Sequence, residues 1–268
     1  MDAFLPARAA LASLPGEAGA FVSDTDGQAL FCENEDEEFP SASVIKLPLV
    51  MTLYADAARG LLDLDESIRV GVRVDGSGVL RHMRDVQQLS LRDLAMLAVI
   101  VSDNTATNRL IERIGLERVG ERLREWGCPK TRLSRKMYDF DAAKLGHENV
   151  MTARETVSLL LRLLRGECED RAASDAVLAV LDQCQDRTML PRYLPYGAKV
   201  PHKTGTLDES RNDAGIVPGD RPVVVAAFTR KLRDTGAAIS WLGILGWCAY
   251  RAAGNSGDPL PPELTRTA

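Results

Sequence analysis

The feature that most constrains the fold is that strand patterns lie near the two ends of the chain. Near the beginning, the apolar segments 19–24 and 28–33 flank Thr25-Asp26-Gly27, and an Asp-Gly between two such segments predicts a β-hairpin. Towards the end, three further segments combine β-branched residues with turn residues between them: 200–206, 214–218 and 222–230. Strands from both ends predict a single antiparallel sheet.

The long middle of the chain has helical patterns. One helix is predicted from about Ser43 to Ala58. Another begins at Ser90, whose hydroxyl can cap the helix while Asp93 lies three residues later. The strongest signal is the capping box Thr152-Ala-Arg-Glu155, which opens an apolar helix that stops at Gly166. The middle of the chain is therefore predicted to be helical throughout.

Together these patterns predict an α+β fold, with an antiparallel sheet flanked by helices and an inserted helical subdomain. We expect one domain over residues 1–268. Its α/β lobe would comprise about 1–60 and 190–268, and its helical lobe about 61–189. A cleft between two lobes is a common place for a ligand site.

Composition and charge exclude several classes of protein. A net charge of −5 disfavours a general nucleic-acid binder, which usually carries excess Lys and Arg. The longest apolar run, 239–250, is too short to span a bilayer. Five scattered cysteines show no metal-ligand spacing, so neither a metal nor another cofactor is expected. We expect a monomer that is cytoplasmic as encoded, or periplasmic or secreted if an export signal has been removed.

Three short polar motifs carry the candidate chemistry. The first is Ser43-Val-Ile-Lys46, in which helical spacing would let Lys46 reach the Ser43 hydroxyl and take its proton. The second is Ser102-Asp103-Asn104, which by itself also fits a helix cap. The third is Lys203-Thr204-Gly205-Thr206 at a strand end, where Gly205 would let a substrate approach the backbone. Alone, each motif is common in proteins without catalytic function.

In this order the three motifs resemble those of class A β-lactamases and penicillin-binding proteins. The flanks 39–43 and 102–108 also look like the family's, and the resemblance covers nearly the whole chain. It implies the family's fold, a small-molecule substrate and a serine acyl-enzyme. Residues carried over to the catalytic and substrate-binding sets are Ser43, Lys46, Ser102 and Lys203, then Asn104, Thr204, Gly205 and Thr206.

The resemblance also implies a role for each of these residues. Ser43 would attack the carbonyl, and Lys46 would accept its proton directly or through water. Ser102, assisted by Lys203, would pass a proton to the leaving nitrogen. Asn104 would bind the side-chain amide of the substrate, while Thr204 and Thr206 with Lys203 would bind its carboxylate. The backbone N–H groups of Ser43 and Thr206 would form the oxyanion hole. His202, beside Lys203, is interpreted as an incidental strand-end histidine.

The resemblance fails at one position that matters for turnover. Class A enzymes activate the deacylating water with a glutamate, but here Met137 occupies the corresponding place in the segment 131–141. Asp139 and Asp141 are the nearby carboxylates that could substitute for it. Asn149 likewise stands where an aspartate would pair with Arg135 to close the loop.

The missing glutamate leaves alternatives open. The first expectation is an inefficient β-lactamase. The alternatives are a D,D-carboxypeptidase or esterase-like hydrolase, or a β-lactam sensor that is acylated and deacylates slowly. An idle binding module on the same fold would not need all three motifs. The substrate would be a β-lactam or a related amide or ester that carries a carboxylate.

Overall fold

The computed structural model describes residues 2–255, in which an antiparallel sheet combines strands from both parts of the chain. The helices are α1 (Leu5–Ala12), α2 (Lys46–Ala58), α3 (Leu91–Ile100), α4 (Asn104–Ile114), α5 (Leu116–Glu125), α6 (Phe140–Lys144), α7 (Ala153–Arg165), α8 (Arg171–Leu181) and α9 (Thr235–Ala252). The strands are β1 (Glu17–Ser23), β2 (Ala29–Glu33), β3 (Phe39–Pro40), β4 (Ser67–Arg69), β5 (Gln88–Ser90), β6 (Val150–Met151), β7 (His202–Leu207), β8 (Ser210–Val217) and β9 (Val223–Arg230).

The main sheet has the order β2-β1-β9-β8-β7, and all of its pairs are antiparallel. Strand β1 pairs directly with β9, so the first and last strands meet at the centre of the sheet. This confirms the predicted α+β class and the sheet built from both ends of the chain. Strand β7 is an edge strand, so among residues 2–255 one side of its backbone has no strand partner.

Alternation along β9 divides the core into two layers, because successive side chains of a strand point to opposite faces. Val225 and Ala227 belong to the layer that includes Trp241 and Leu245 of α9. On the opposite face, Phe228 belongs to the layer that includes the buried residues of α2, α3 and α7. The sheet is thus covered by helices on both faces.

Local capping signals in the sequence are reproduced closely. Ser90 accepts a hydrogen bond from Asp93 N and begins α3, as predicted. Thr152 accepts one from Glu155 N and begins α7. The Glu155 carboxylate does not close the box on Thr152, because it accepts from the backbone N–H of Lys130 and Thr131. This carboxylate instead ties the segment after α5 to the start of α7.

The far end of α2 is held by a buried ion-pair cluster. Asp56 is buried in α2, and Arg118 and Arg122 of α5 both donate to its carboxylate. These partners, acting against burial, lower the pKa of Asp56. Since the candidate nucleophile immediately precedes α2, the cluster helps to fix the helix that supports it.

Some features lie outside what the sequence patterns predicted. The two-residue pair β3–β6, the pair β4–β5 and the short helix α6 were not predicted. The division into two lobes stays a prediction, and the ends of the predicted domain, residues 1 and 256–268, lie outside the described residues. No helix within 2–255 is long and apolar enough to cross a membrane.

Candidate active site

The fold brings the three motifs to one pocket of about 290 Å³. Ser43 lies in the turn before α2, Ser102 lies between α3 and α4, and Lys203 lies on β7. All three line the pocket, together with Thr204 and Thr206. Residues far apart in sequence therefore face one cavity large enough for a small ligand.

Ser43 lies in a 3₁₀ turn, Ala42–Ile45, and α2 begins at Lys46, three residues after the predicted start. Lys46 was predicted to contact the Ser43 hydroxyl, but no hydrogen bond joins the two side chains in the described structure. The Lys46 amine instead lies 2.8 Å from Ser102 O, 3.1 Å from Ser102 Oγ and 2.9 Å from Asn104 Oδ1. Residues three apart lie on one face of a 3₁₀ turn as well, so the direction of the Lys46 side chain is set by its acceptors at Ser102 and Asn104.

Lys46 has no exposed surface, and its environment favours the neutral amine. Burial, followed by the positive charge of Lys203, lowers its pKa well below the ordinary value, while Asp103 opposes the shift. The amine donates to three acceptors, which are Ser102 O, Ser102 Oγ and Asn104 Oδ1.

Lys203 is the second buried lysine of the pocket. Its amine donates to Thr204 O at 2.8 Å and lies 3.2 Å from Ser102 Oγ. Burial lowers its pKa, and the charges of Cys184, Asp213 and Asp186 oppose that effect. Ser102 Oγ therefore stands between two lysine amines, of which Lys46 is the more strongly shifted towards neutrality.

Both serine-bearing segments contain a non-glycine residue in the left-handed backbone region. The φ angle is +48° at Ala42 and +55° at Ser102. Such a conformation costs about 1–2 kcal/mol for a residue with a Cβ. Strained backbone of this kind is typical of functional sites, where the surrounding structure holds it in place.

Asp103 and Asn104 support the Ser102 segment from inside the protein. The Asp103 carboxylate caps α4 by accepting from Ala106 N, and it also accepts from the N–H groups of Val79 and Leu80. The capping interpretation of this motif is therefore correct, alongside its place at the site. Asn104 donates to Asp75 O and accepts from Lys46, so both ends of its amide are already paired within the protein.

Gly205 has a role in packing that the sequence did not indicate. A Cβ built at this position would lie 3.0 Å from Ala42 Cβ, 3.0 Å from Ser41 O and 3.1 Å from Ser43 N. The glycine was predicted to admit a substrate to the backbone. In the structure, the absence of a side chain at position 205 allows the turn that carries Ser43 to pack directly against β7.

Met137 lies on a loop that is fixed by amide side chains. Asn108 accepts from Met137 N at 2.7 Å and donates to Met137 O at 3.0 Å. Asn149 accepts from the N–H groups of Ser134 and Arg135 and donates to Arg135 O. Arg135 pairs with Glu148 at 3.0 Å, so the loop is closed without the aspartate expected at 149.

The two carboxylates expected to replace the missing glutamate are engaged elsewhere. Asp139 caps α6 by accepting from Ala142 N at 3.0 Å. The Asp141 side chain is 94% exposed and pairs with Lys144 at 3.1 Å. Neither is among the described residues that line the pocket. In this structure no contact brings Asp139 or Asp141 to Ser43.

A buried pair between β7 and β8 gives His202, which was interpreted as an incidental strand-end histidine, a partner within the fold. His202 Nδ1 lies 3.0 Å from an oxygen of Asp213 on β8, and both side chains are buried. Burial would lower the pKa of His202, but Asp213 and then Cys184 raise it to about 10. The position next to Lys203 was the only sequence signal, since Asp213 and Cys184 approach His202 only through the fold. Within 2–255 no cluster of His, Cys, Asp or Glu is arranged to hold a metal ion.

The comparisons with known proteins all indicate the same family. The profile described as the beta-lactamase enzyme family matches residues 7–253. Beta-lactamase L2 of Stenotrophomonas maltophilia is 28% identical over 240 residues, which are 85% of this chain and 79% of that protein. The crystal structure of a beta-lactamase from Sphaerobacter thermophilus has a TM-score of 0.86 and 32% identity, and it covers 96% of this chain and 98% of its own. An ancestral class A beta-lactamase has a TM-score of 0.82 and 28% identity, with 91% and 97% covered.

Proposed function

Because the chain belongs to the beta-lactamase enzyme family and is a class A-like serine enzyme, we propose that it attacks β-lactams through an acyl-enzyme on Ser43. The observation that carries this proposal is the position of Ser102 Oγ. It lies 3.1 Å from Lys46 Nζ and 3.2 Å from Lys203 Nζ, in the pocket that Ser43 also lines. A hydroxyl between two amines of different proton affinity is suited to move a proton in either direction.

Acylation would begin with Ser43 Oγ attacking the lactam carbonyl. The neutral Lys46 amine is the acceptor for the serine proton, directly or through water, since its lowered pKa leaves it unprotonated more often than an ordinary lysine. As the C–N bond breaks, the Ser102 hydroxyl gives its proton to the leaving nitrogen and takes one from an adjacent amine. The Lys203 charge would stabilise negative charge on Ser102 Oγ during this transfer.

Substrate binding would use β7 and its open edge. Lys203 supplies positive charge for a carboxylate, with the hydroxyls of Thr204 and Thr206 as neighbouring donors. The N–H groups of Ser43 and Thr206 would bind the developing oxyanion, an effect of about 3–4 kcal/mol for a well-placed donor. Asn104 remains a candidate for the substrate amide, provided that its present bonds are exchanged on binding. The expected ligand is a β-lactam, or a related amide or ester with a carboxylate.

Deacylation would be slow by this scheme. The thioether of Met137 accepts no proton at neutral pH, and Asp139 and Asp141 form other contacts. Loss of a general base costs about 10²–10⁴-fold in the step it assists. This observation favours the second candidate functions: a D,D-carboxypeptidase or esterase-like hydrolase, or a sensor that keeps its acyl group.

The test is intact mass spectrometry over time after adding penicillin G in modest excess. The wild-type chain should gain one penicillin adduct, and Ser43→Ala should gain none. Ser77→Ala is the matched control, because Ser77 lines the same pocket without a proposed chemical role. A persistent adduct would favour the peptidase or sensor alternatives, and an adduct that decays while penicillin is consumed would favour a working β-lactamase. An unmodified wild-type chain with intact penicillin, or an adduct on Ser43→Ala, would refute the acyl-enzyme proposal.

A further inference from the structure

Cys184 forms part of the wall of the pocket that also contains Ser43, Ser102 and Lys203. Its exposed fraction is 8%, so a reagent would reach its sulfur through that pocket. Three other buried cysteines, Cys128, Cys168 and Cys248, lie in the hydrophobic core instead. A thiol thus shares the substrate cavity of a serine site whose proposed chemistry does not use it.

The buried His202–Asp213 pair interacts with this thiol. Asp213 holds His202 Nδ1 at 3.0 Å, and Asp213 also accepts from Leu190 N, which fixes the carboxylate. His202 Nε2 is buried and has no hydrogen-bond partner within the described residues. Since Nδ1 is engaged by Asp213, Nε2 is the nitrogen left to interact with the Cys184 thiol.

The charges around Cys184 favour its thiolate. Burial would raise the pKa of the thiol, but His202 and then Lys203 outweigh it, so that the pKa of Cys184 is lowered. The charge of Asp213 opposes this lowering of the Cys184 pKa. Asp186, which also lines the pocket, acts on Lys203 and raises the pKa of that lysine.

Three other cysteines have the opposite tendency. Burial raises the pKa of Cys128, Cys168 and Cys248 to about 12 in each case. Burial also raises the pKa of Cys32, a partly exposed residue of β2. The thiolate is the reactive form in thiol–disulfide exchange, so Cys184 should react before the other four.

We propose that Cys184 is a modification site for small disulfides, and that its modification closes the serine pocket. The Cys184 thiolate attacks one sulfur of the disulfide, a Cys184–sulfur bond forms as the disulfide bond breaks, and the displaced thiolate takes a proton from water. The attached group then occupies space lined by both Cys184 and Ser43. A thiol reductant reverses the exchange, which makes the block reversible.

The first measurement concerns the thiol alone and is independent of the proposed function. The full chain is treated with bis(2-hydroxyethyl) disulfide, and the adducts are counted by intact mass and located by peptide mapping. The first adduct should lie on Cys184 and form at least tenfold faster than any on Cys32, and its rate should reach half of its plateau at a lower pH than the rate at Cys32. A first adduct on Cys32, or an unmodified Cys184 in the folded protein, would overturn the proposal.

The second measurement concerns the pocket and rests on the proposed acylation of Ser43. Penicillin acylation is compared before and after disulfide treatment in the wild type, Cys184→Ser and the matched control Cys32→Ser, each relative to its own untreated sample. Treatment should slow acylation at least tenfold in the wild type and Cys32→Ser, with recovery after dithiothreitol, and leave Cys184→Ser unchanged.

Normal acylation of a chain fully modified at Cys184 would overturn the blocking role. If the untreated chain is not acylated at all, the proposed function fails, while the mapping still decides whether Cys184 is the reactive thiol.

Discussion

Replacing Gly205 by alanine tests whether β7 positions the nucleophile. The new Cβ would lie 3.0–3.1 Å from three atoms, and all of them belong to residues 41–43. Ordinary contacts between carbon atoms are about 3.5–4.0 Å, so the turn must move by several tenths of an ångström. Such overpacking costs about 1–3 kcal/mol, and the alanine recovers about 0.4–1 kcal/mol by restricting the unfolded chain.

The expected outcome is a folded protein with a displaced nucleophile. We expect a net loss of about 1–2 kcal/mol in unfolding free energy from these opposing effects. A misplacement of 1 Å can cost about 10²-fold in rate, so a shift of several tenths should slow Ser43 acylation about tenfold. The acylation rate is read from the growth of the penicillin adduct by quenched-flow mass spectrometry, and stability from urea unfolding.

Two companion variants make the Gly205 result specific. Gly197→Ala is the matched control, because a Cβ at that exposed position meets no atom within 4 Å. Ala42→Gly combined with Gly205→Ala should recover part of the rate, since it removes the methyl carbon nearest the new Cβ, and glycine suits the φ of +48° at position 42. Wild-type acylation by folded Gly205→Ala would refute the view that this contact positions Ser43.

Three further predictions follow from the loop, the buried lysine and a helical glycine. Met137→Glu should speed loss of the penicillin adduct about 10²-fold or more by supplying a base, whereas Met137→Gln should not; equal decay of the two adducts would contradict this reasoning. Lys46→Met should abolish acylation and remove one contribution to the pH dependence of stability. Because the pKa of Lys46 is lowered in the folded state, its own contribution to stability rises with pH up to about 10.5, by at most about 1.4 kcal/mol per pH unit. Urea unfolding should therefore show a smaller increase of stability with pH in Lys46→Met than in the wild type, and equal slopes would refute this. Gly120→Ala within α5 should stabilise the protein by about 1 kcal/mol, because alanine is the better helix former. Gly127→Ala should destabilise it, because the φ of +75° at this position disfavours a residue with a Cβ. Thermal unfolding that ranks the two variants in reverse would show this reasoning to be wrong.

The sequence predicted those elements whose signals are local. Ser90 and Thr152 cap their helices through residues three positions later, and Gly166 ends α7 in the left-handed conformation. Such interactions depend on a few neighbouring residues, which a pattern in the chain contains. The short β3–β6 pair could not be predicted in this way, because two residues are too few for an alternating pattern.

The candidate site likewise contains residues that local motifs identify and contacts that only the tertiary structure sets. The motifs identified five of the residues that line the pocket, which are Ser43, Ser102, Lys203, Thr204 and Thr206. The direction of the Lys46 side chain depends on acceptors at Ser102 and Asn104, which arrive from another part of the chain. The approach of Cys184 to His202 likewise depends on the segment before β7 folding back onto it. Contacts of this kind are set by tertiary packing, and no spacing within the sequence encodes them.

The structure holds the residues proposed for acylation and the Met137 loop by separate contacts. The proposed acylating groups lie on the turn before α2, on the Ser102 segment and on β7, and Gly205 of β7 packs against that turn. The Met137 loop is held instead by Asn108 and by Asn149, through bonds to its backbone. Because these bonds do not involve the Met137 side chain, a change there can alter the fate of the acyl group without moving Ser43. Formation and release of the proposed acyl-enzyme are therefore expected to be separable, since the three motifs bear only on its formation.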